Sequence, residues 1–320
     1  MGTRQIYTED FPVPHGLMFH HFHSDAHPVG QGSISAEDLY RIIDVVGRNN
    51  ILDAEEWLAR AREGKLGSRD YCLTFDDNLR CQYDVARPVM DALEIRGFWF
   101  VYTSSLQGTV ERMELYRYFR SIRFPDFDDF FEAFLIHLRQ TQWGDDLDGV
   151  LNSEAAKSYL NEFEFYSLAD RQFRYVRDIH LSAEVYESVM DSMIAASTLD
   201  INDIHRKLWM DGDTLKILEA DSHVIGTHSH THPTRIDLLE DEKLHTEHEM
   251  SHDVLSELLG NPPRTMSHPC NAWNERTLEV LSQLEFDIGF TARLDVTKDS
   301  PFLYPRHDHA DIMAYIENTT

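Results

Sequence analysis

The feature that most constrains this chain is a set of short apolar runs, several of which stop abruptly at polar, chemistry-bearing residues. Tyr71–Phe75 (YCLTF) is followed by Asp76, Asp77 and Asn78, the run 98–102 (FWFVY) is apolar from end to end, and 223–227 leads into His228, Ser229, His230, Thr231 and His232. A strand without polar alternation is buried on both faces, as happens in a parallel sheet covered by helices. Between the runs the period changes to that of a helix. Over 36–47 the apolar residues are Leu39, Ile42, Ile43 and Val46, behind a start signal of Ser35 with Asp38 three residues on. Further helices are expected over 85–95, 213–220, 240–259 and 274–284, and further strands over 15–23, 264–267 and 288–291. The 240–259 helix has a stop signal of Gly260 with Pro262 and Pro263 beyond it. Strand–helix alternation of this kind predicts an α/β fold, barrel-like or doubly wound.

The rhythm breaks between 112 and 206. There, aromatic residues recur at helical spacing among charges, at Phe127, Phe130, Phe131, Phe134, Phe163, Tyr166, Phe173 and Tyr186. The expectation is an all-helical insertion at 112–206, a subdomain or lid, splitting an α/β domain into parts 1–111 and 207–320.

Charge narrows the partners. Lysine plus arginine number 29 against 56 aspartates and glutamates, a formal net charge of −27. Such a field repels phosphate backbones and anionic lipid, so nucleic acid is not an expected partner. No apolar stretch approaches the ~18 residues of a membrane span. The first residues lack the basic and long apolar regions of a secretory leader, so a cytoplasmic location is expected. Cys72, Cys81 and Cys270 form no CxxC pair and imply neither a disulfide framework nor a cysteine metal site.

Two of the strand ends carry chemistry. In α/β barrels the C-terminal strand ends converge on one site, so the aspartates at 76–77 and the histidines at 228–232 can meet although distant in sequence. A catalytic Zn²⁺ takes histidine and carboxylate ligands and keeps one position open for water, whose pKa it lowers. His228 and His232, four apart, can present two imidazoles on one side of a turn. Adjacent aspartates point in different directions and can divide the roles of ligand and proton acceptor. Taken singly, an Asp-Asp pair after a strand also suits a solvated turn or a helix start. The polar cluster His20, His21, His23, Asp25 and His27 suits a substrate wall or a second metal site at the barrel mouth; His21 falls at the strand end and is expected to line the substrate site, the others being hydrogen-bonded loop residues. His230 is expected to point away from the ion. His245, His248 and His252 sit among charges on the 240–259 helix and read as a solvated face.

Thr74, Phe75, Asp76 and Asp77 resemble the first motif of the polysaccharide deacetylases (NodB homology, carbohydrate esterase family 4), and His228-Ser229-x-x-His232-Pro233 resembles the second, H-S/T-x-x-H-P. The stretch 258–271 is similar to the approach to the third motif, and the likeness covers about 15–103 and 207–310. The resemblance implies a distorted (β/α) barrel and a metal-dependent hydrolase that removes an N-acyl group, acetyl above all, from an amino sugar, with a place in surface polysaccharide biosynthesis. It implies Asp77, His228 and His232 as ligands of Zn²⁺ or another divalent transition metal, and Asp76 as general base. Cys270, where the family usually has tyrosine, would offer its backbone N–H to the oxyanion. Two departures matter. Ser267 stands where the third motif carries an arginine, which leaves Arg306 as the replacement. The final motif's histidine is matched only loosely around 304–309, leaving His307 or His268 to protonate the leaving amine. Cleavage of another C–N bond, in a formamide or ureide, and a non-catalytic carbohydrate-binding role are the alternatives.

Overall fold

The structure, a computed structural model, describes residues 3–161, 167–295 and 299–319. Phe163 and Tyr166 lie outside the described residues. The chain forms two compact units, Met1–Glu111 with Arg206–Thr320, and Arg112–His205.

The first unit is built on seven strands: β1 His15–Phe19, β2 Tyr71–Phe75, β3 Phe98–Val101, β4 Val224–Thr227, β5 Thr265–Ser267, β6 Ile288–Phe290 and β7 Arg306–Asp308. All neighbours are parallel and the order is β6-β5-β4-β3-β2-β1-β7. Two edges remain, and residues 301–306 nearly close them. Tyr304 donates its N–H to Gly289 of β6 and accepts one from Thr291, and the next residue, Pro305, accepts from Gly16 of β1. The result is a distorted (β/α) barrel. The strand ends are shorter than expected at β1, which stops at Phe19 rather than at residue 23, and β7 was not expected as a strand, because three residues of mixed polarity carry no period.

Helices cover the sheet: α1 Thr3–Asp10, α2 Ala36–Val46, α3 Ala54–Arg62 and α4 Arg87–Ala92, the last preceded by a π-helical turn, Gln82–Ala86. The Ser35–Asp38 capping box is formed in both directions. Ala54, Trp57, Leu58 and Ala61 of α3 pack into the barrel against Cys72, Phe98, Phe100, Ile288 and Phe290 of β2, β3 and β6. This apolar packing leaves the polar residues at the C-terminal strand ends as the place for chemistry.

The second unit contains α5 Arg112–Arg123, α6 Phe127–Leu138, α7 Leu147–Asn152, α8 Glu154–Ser158, α9 Leu168–Tyr175 and α10 Ala183–Ala196. Its core is aromatic: Phe173 meets Phe130 and Phe134 edge-on, each at 5.2 Å between ring centres. Helix α11 Ile201–Leu208 leads back to the barrel, followed by α12 Gly212–Ala220, α13 Asp241–Leu259, α14 Glu275–Gln283 and α15 His309–Thr319. Gly260 ends α13 at φ 76°, the left-handed geometry that glycine adopts without strain. One expectation on α13 is corrected. His248 is not on a solvated face: it lies with Leu244, Ser251 and Leu255 on the buried stripe, at spacings of three and four residues. Among the described residues no helix is long and apolar enough to cross a membrane.

Candidate active site

At the C-terminal end of the barrel, β2 and β4 deliver the two sequence motifs to one place. Asp77 Oδ1 lies 3.4 Å from His232 Nε2 and 3.6 Å from His228 Nε2. The backbone bends sharply to achieve this: Asp77, Ser229 and His232 all have positive φ, at 76°, 63° and 55°. Left-handed backbone at residues other than glycine costs on the order of 1–3 kcal/mol each and persists where surrounding structure enforces it, often at functional sites. Here the enforcement is visible. His232 donates its N–H to Ser229 Oγ, and Glu247 of α13 accepts from the N–H groups of His230 and Thr231 and from the Thr231 hydroxyl. His230 is turned aside onto Thr103 Oγ1, 2.8 Å away.

The donor set fits a divalent ion. Bonds of about 2.0–2.1 Å to a tetrahedral Zn²⁺ put neighbouring ligand atoms about 3.3–3.4 Å apart, close to the spacings from Asp77 to the two imidazoles. His228 is held in the right tautomer, since its Nδ1 lies 2.9 Å from the Ser267 carbonyl, which can only accept. The proton is therefore on Nδ1 and the Nε2 lone pair faces Asp77, the arrangement typical of metal-ligating histidines. Burial lowers the His228 pKa to about 3, so the ring is neutral.

Asp76 sits beside this trio in a second, denser network. Arg306 grips it with both forks, Nη1 to Oδ1 at 2.7 Å and Nη2 to Oδ2 at 2.8 Å. Burial opposes the charge on Asp76, but the Arg306 guanidinium holds its carboxyl well below the usual carboxylate range. Arg306 reaches Asp76 from β7 across β1, and Gly16 makes the passage: a Cβ there would stand 2.9 Å from Thr74 Cγ2 and 3.1 Å from Arg306 Cγ. Ser267 joins the two networks. Its hydroxyl donates to Asp76 Oδ1 at 3.1 Å and accepts from His228 Nδ1 at 2.6 Å.

Two expected proton donors fail on geometry. On β7, Arg306 faces the site, so His307 faces the opposite side of the strand. There it contacts the Tyr7 hydroxyl through Nδ1 at 2.9 Å and packs on Phe11. His268 likewise follows inward-facing Ser267 and turns outward, with Nε2 donating to the Phe302 carbonyl at 2.9 Å and the ring beside Trp273. Besides His228, at the same distance, the histidine beside Asp76 is His20, the first residue after β1, with Nε2 3.8 Å from Asp76 Oδ2. Burial lowers its pKa to about 4, against the opposing charges of Asp76 and Asp308. His21 is its neighbour, the two rings nearly parallel at 6.4 Å. The remaining loop histidines have structural partners: His23 pairs with Ser33 and His27 with Asp84.

Sequence reasoning also missed Gln82, which is fully buried and donates from Nε2 to the carbonyls of both His20 and Asp76, at 2.8 and 2.5 Å. This one side chain ties the ends of β1 and β2 together. Cys270 lies in a turn, Pro269–Asn271, with φ 50°. Its thiol pKa is pushed up to about 11, first by loss of solvation and then by Asp77, so the turn borders the carboxylates.

The family model described as polysaccharide deacetylase matches residues 193–289, a span that includes the histidine motif and Ser267 but not the aspartate pair. No curated protein matches the chain in sequence. Among solved structures, a de-N-acetylase of Aggregatibacter actinomycetemcomitans is similar at TM-score 0.54 and 14% identity, covering 95% of this chain and 98% of that one. The deacetylase PplD of Streptococcus pyogenes, in complex with acetate, gives 0.52 and 13%, covering 92% and 91%. IcaB of Ammonifex degensii gives 0.51 and 14%, covering 92% and 91%. At these identities the structural likeness speaks to the fold, and the family match joins it to the motif that β4 carries into the site. Residues 193–289 are thus similar to the polysaccharide deacetylases in sequence, and the chain shares the fold of solved deacetylases.

Proposed function

We propose that this chain hydrolyses the N-acyl group, acetyl by preference, of an amino-sugar residue within a carbohydrate. The observation that carries the reading is the adjacency of a buried carboxylate held anionic by Arg306 and a separate Asp-His-His set of ion-ligating geometry. The PplD structure, described with acetate, supports acetyl as the acyl group.

Asp77, His228 and His232 would hold the ion, with Zn²⁺ the best fit to two imidazoles and a carboxylate. When bound, such an ion polarises the acyl carbonyl and acidifies water beside it. The chain's own residues handle the protons. As the water oxygen bonds to the acyl carbon, Asp76 accepts the water's proton. Arg306 keeps Asp76 anionic but also makes it a weak base, so the proton is readily surrendered. His20, 3.8 Å away, has the higher pKa of the two and is the next acceptor. From His20 the proton passes to the amine nitrogen as the C–N bond breaks, giving the carboxylate product and a free amino sugar. His21 and the Cys270 turn border the site and would contact the sugar and the oxyanion.

The test is acetate release from N-acetylated amino-sugar oligomers by the native protein and by Asp76→Asn. Removing the proton acceptor is expected to cost roughly 10²-fold or more. An equally active variant would refute the assignment, and no release from any acylated amino sugar would refute the function.

A further inference from the structure

We propose that His20, Asp308 and His309 form a second divalent-cation site, distinct from the Asp77 set and able to shut it down. Among the described residues, two groups of His, Cys, Asp or Glu offer converging ligand atoms: Asp77, His228 and His232, and His20, Asp308 and His309, each with those atoms within 4.8 Å of one another.

The second group contains a buried lone pair that asks for a cation. His309 Nε2 lies 2.8 Å from the Gly32 carbonyl, which can only accept, so this nitrogen carries the proton. The ring is buried, 6% exposed, and stacks on Phe19 at 6.0 Å. Nδ1 is therefore fixed in direction, it bears the lone pair of the neutral ring, and it has no hydrogen-bond partner. It points toward Asp308 Oδ1, 3.4 Å away. With the neutral ring, this buried lone pair faces a half-buried carboxylate oxygen, and two such acceptors repel unless a cation lies between them. A transition ion satisfies both and draws in the third ligand, His20, from the end of β1. The site has an entry path, since the His20 and Asp308 side chains are 28% and 32% exposed. Two imidazoles and one carboxylate favour Zn²⁺ or a similar transition ion over Mg²⁺ or Ca²⁺, which prefer oxygen.

The consequence follows from sharing. His20 lies 3.8 Å from Asp76 and is the residue assigned above to pass on its proton, and an ion ligated by His20 removes that lone pair from use. Zinc at the Asp77 set then supports turnover, while zinc in excess suppresses it. This regulatory consequence rests on the deacetylase reading; the site itself does not.

The experiment is equilibrium dialysis of metal-free protein against rising ZnCl₂, read as bound zinc per chain. The native protein is expected to take up one equivalent tightly and a second at higher free zinc. Asp77→Ala should lose the tight step and keep the weaker one. Asp308→Asn, whose amide oxygen can still cap Ala310 as the carboxylate does, and His309→Ala should keep the tight step and weaken the second by about tenfold or more. In parallel, excess zinc should inhibit acetate release by the native protein several-fold more than by His309→Ala. A single-step native isotherm, or a second step unchanged in both Asp308→Asn and His309→Ala, would overturn the site. Two binding steps without any acetate release would instead leave the site standing and sink the hydrolase.

Discussion

The guanidinium of Arg306 and the carboxylate of Asp76 form a two-pronged pair, 2.7 and 2.8 Å, inside the barrel, with side chains 1% and 2% exposed. The two residues come from strands separated by β1, and the pair exists because Gly16 lets the arginine across.

Breaking that pair leaves a buried charge without compensation. Arg306→Met is expected to cost about 3–5 kcal/mol of stability. The sign with pH follows from the depressed Asp76 pKa: the native gain is fully present above the unfolded value of about 3.9 and is lost as pH falls through the folded value. The deficit of Arg306→Met should therefore be largest at neutral pH and shrink in acid, which denaturant titrations at several pH values would measure. Arg306→Lys keeps a charge but not the fork, so its acid limb of kcat/KM should move to higher pH than the native limb.

His20 and His307 should separate cleanly. His20→Gln is expected to lose roughly 10²-fold or more in turnover with the tightly bound metal retained. His307→Asn should instead lose about 1–3 kcal/mol of stability, because its partner Tyr7 is buried, while turnover per folded molecule stays close to native. Turnover and metal content measured on both variants check this.

Glu247 holds the histidine loop through three hydrogen bonds without touching the ion-binding set. Glu247→Ala is expected to weaken zinc binding roughly 10–100-fold. Competition with a chelator of known affinity would read the change, and rescue by Glu247→Gln should be partial.

Histidines buried as neutral rings set the acid stability. His223 Nδ1 accepts from the Gly97 N–H and the Trp99 indole, so protonation there breaks both bonds. Burial lowers the pKa of His223 and His268 to about 4 and of His15 and His248 to about 3. The unfolded chain takes up these protons near pH 6.5 and the folded chain does not. Stability should fall between about pH 6.5 and 4, by up to about 1.4 kcal/mol per pH unit for each ring. Denaturation midpoints that are flat across this range would contradict it.

What could be read from the sequence divides by locality. Asp76 and Asp77, or His228 and His232, are visible because each group is contiguous and ends an apolar run. The strands and most helices are visible because their periods are long enough to count. Arg306 was reachable only as a replacement for a missing arginine, since its contact with Asp76 spans 230 positions. His20 reads from the sequence as a loop residue and His21 as the strand-end residue, whereas β1 stops at Phe19 and it is His20 that lies beside Asp76, because a single position decides which side chain meets the site. His307 and His268 were misdirected for the same reason of parity: each neighbours an inward residue, Arg306 or Ser267, and so faces out. Gln82 left no signal, because its role is to bridge two backbone carbonyls that only the folded barrel brings together.

The most direct measurement is acetate release from an N-acetylated amino-sugar oligosaccharide by metal-stripped protein, before and after one equivalent of Zn²⁺, alongside Asp77→Ala treated identically. Activity is expected to be absent without metal, to return in the native protein and to stay absent in the variant. Full activity in the stripped protein, or recovery of Asp77→Ala to the native rate, would contradict the assignment of Asp77, His228 and His232 as the centre of the site.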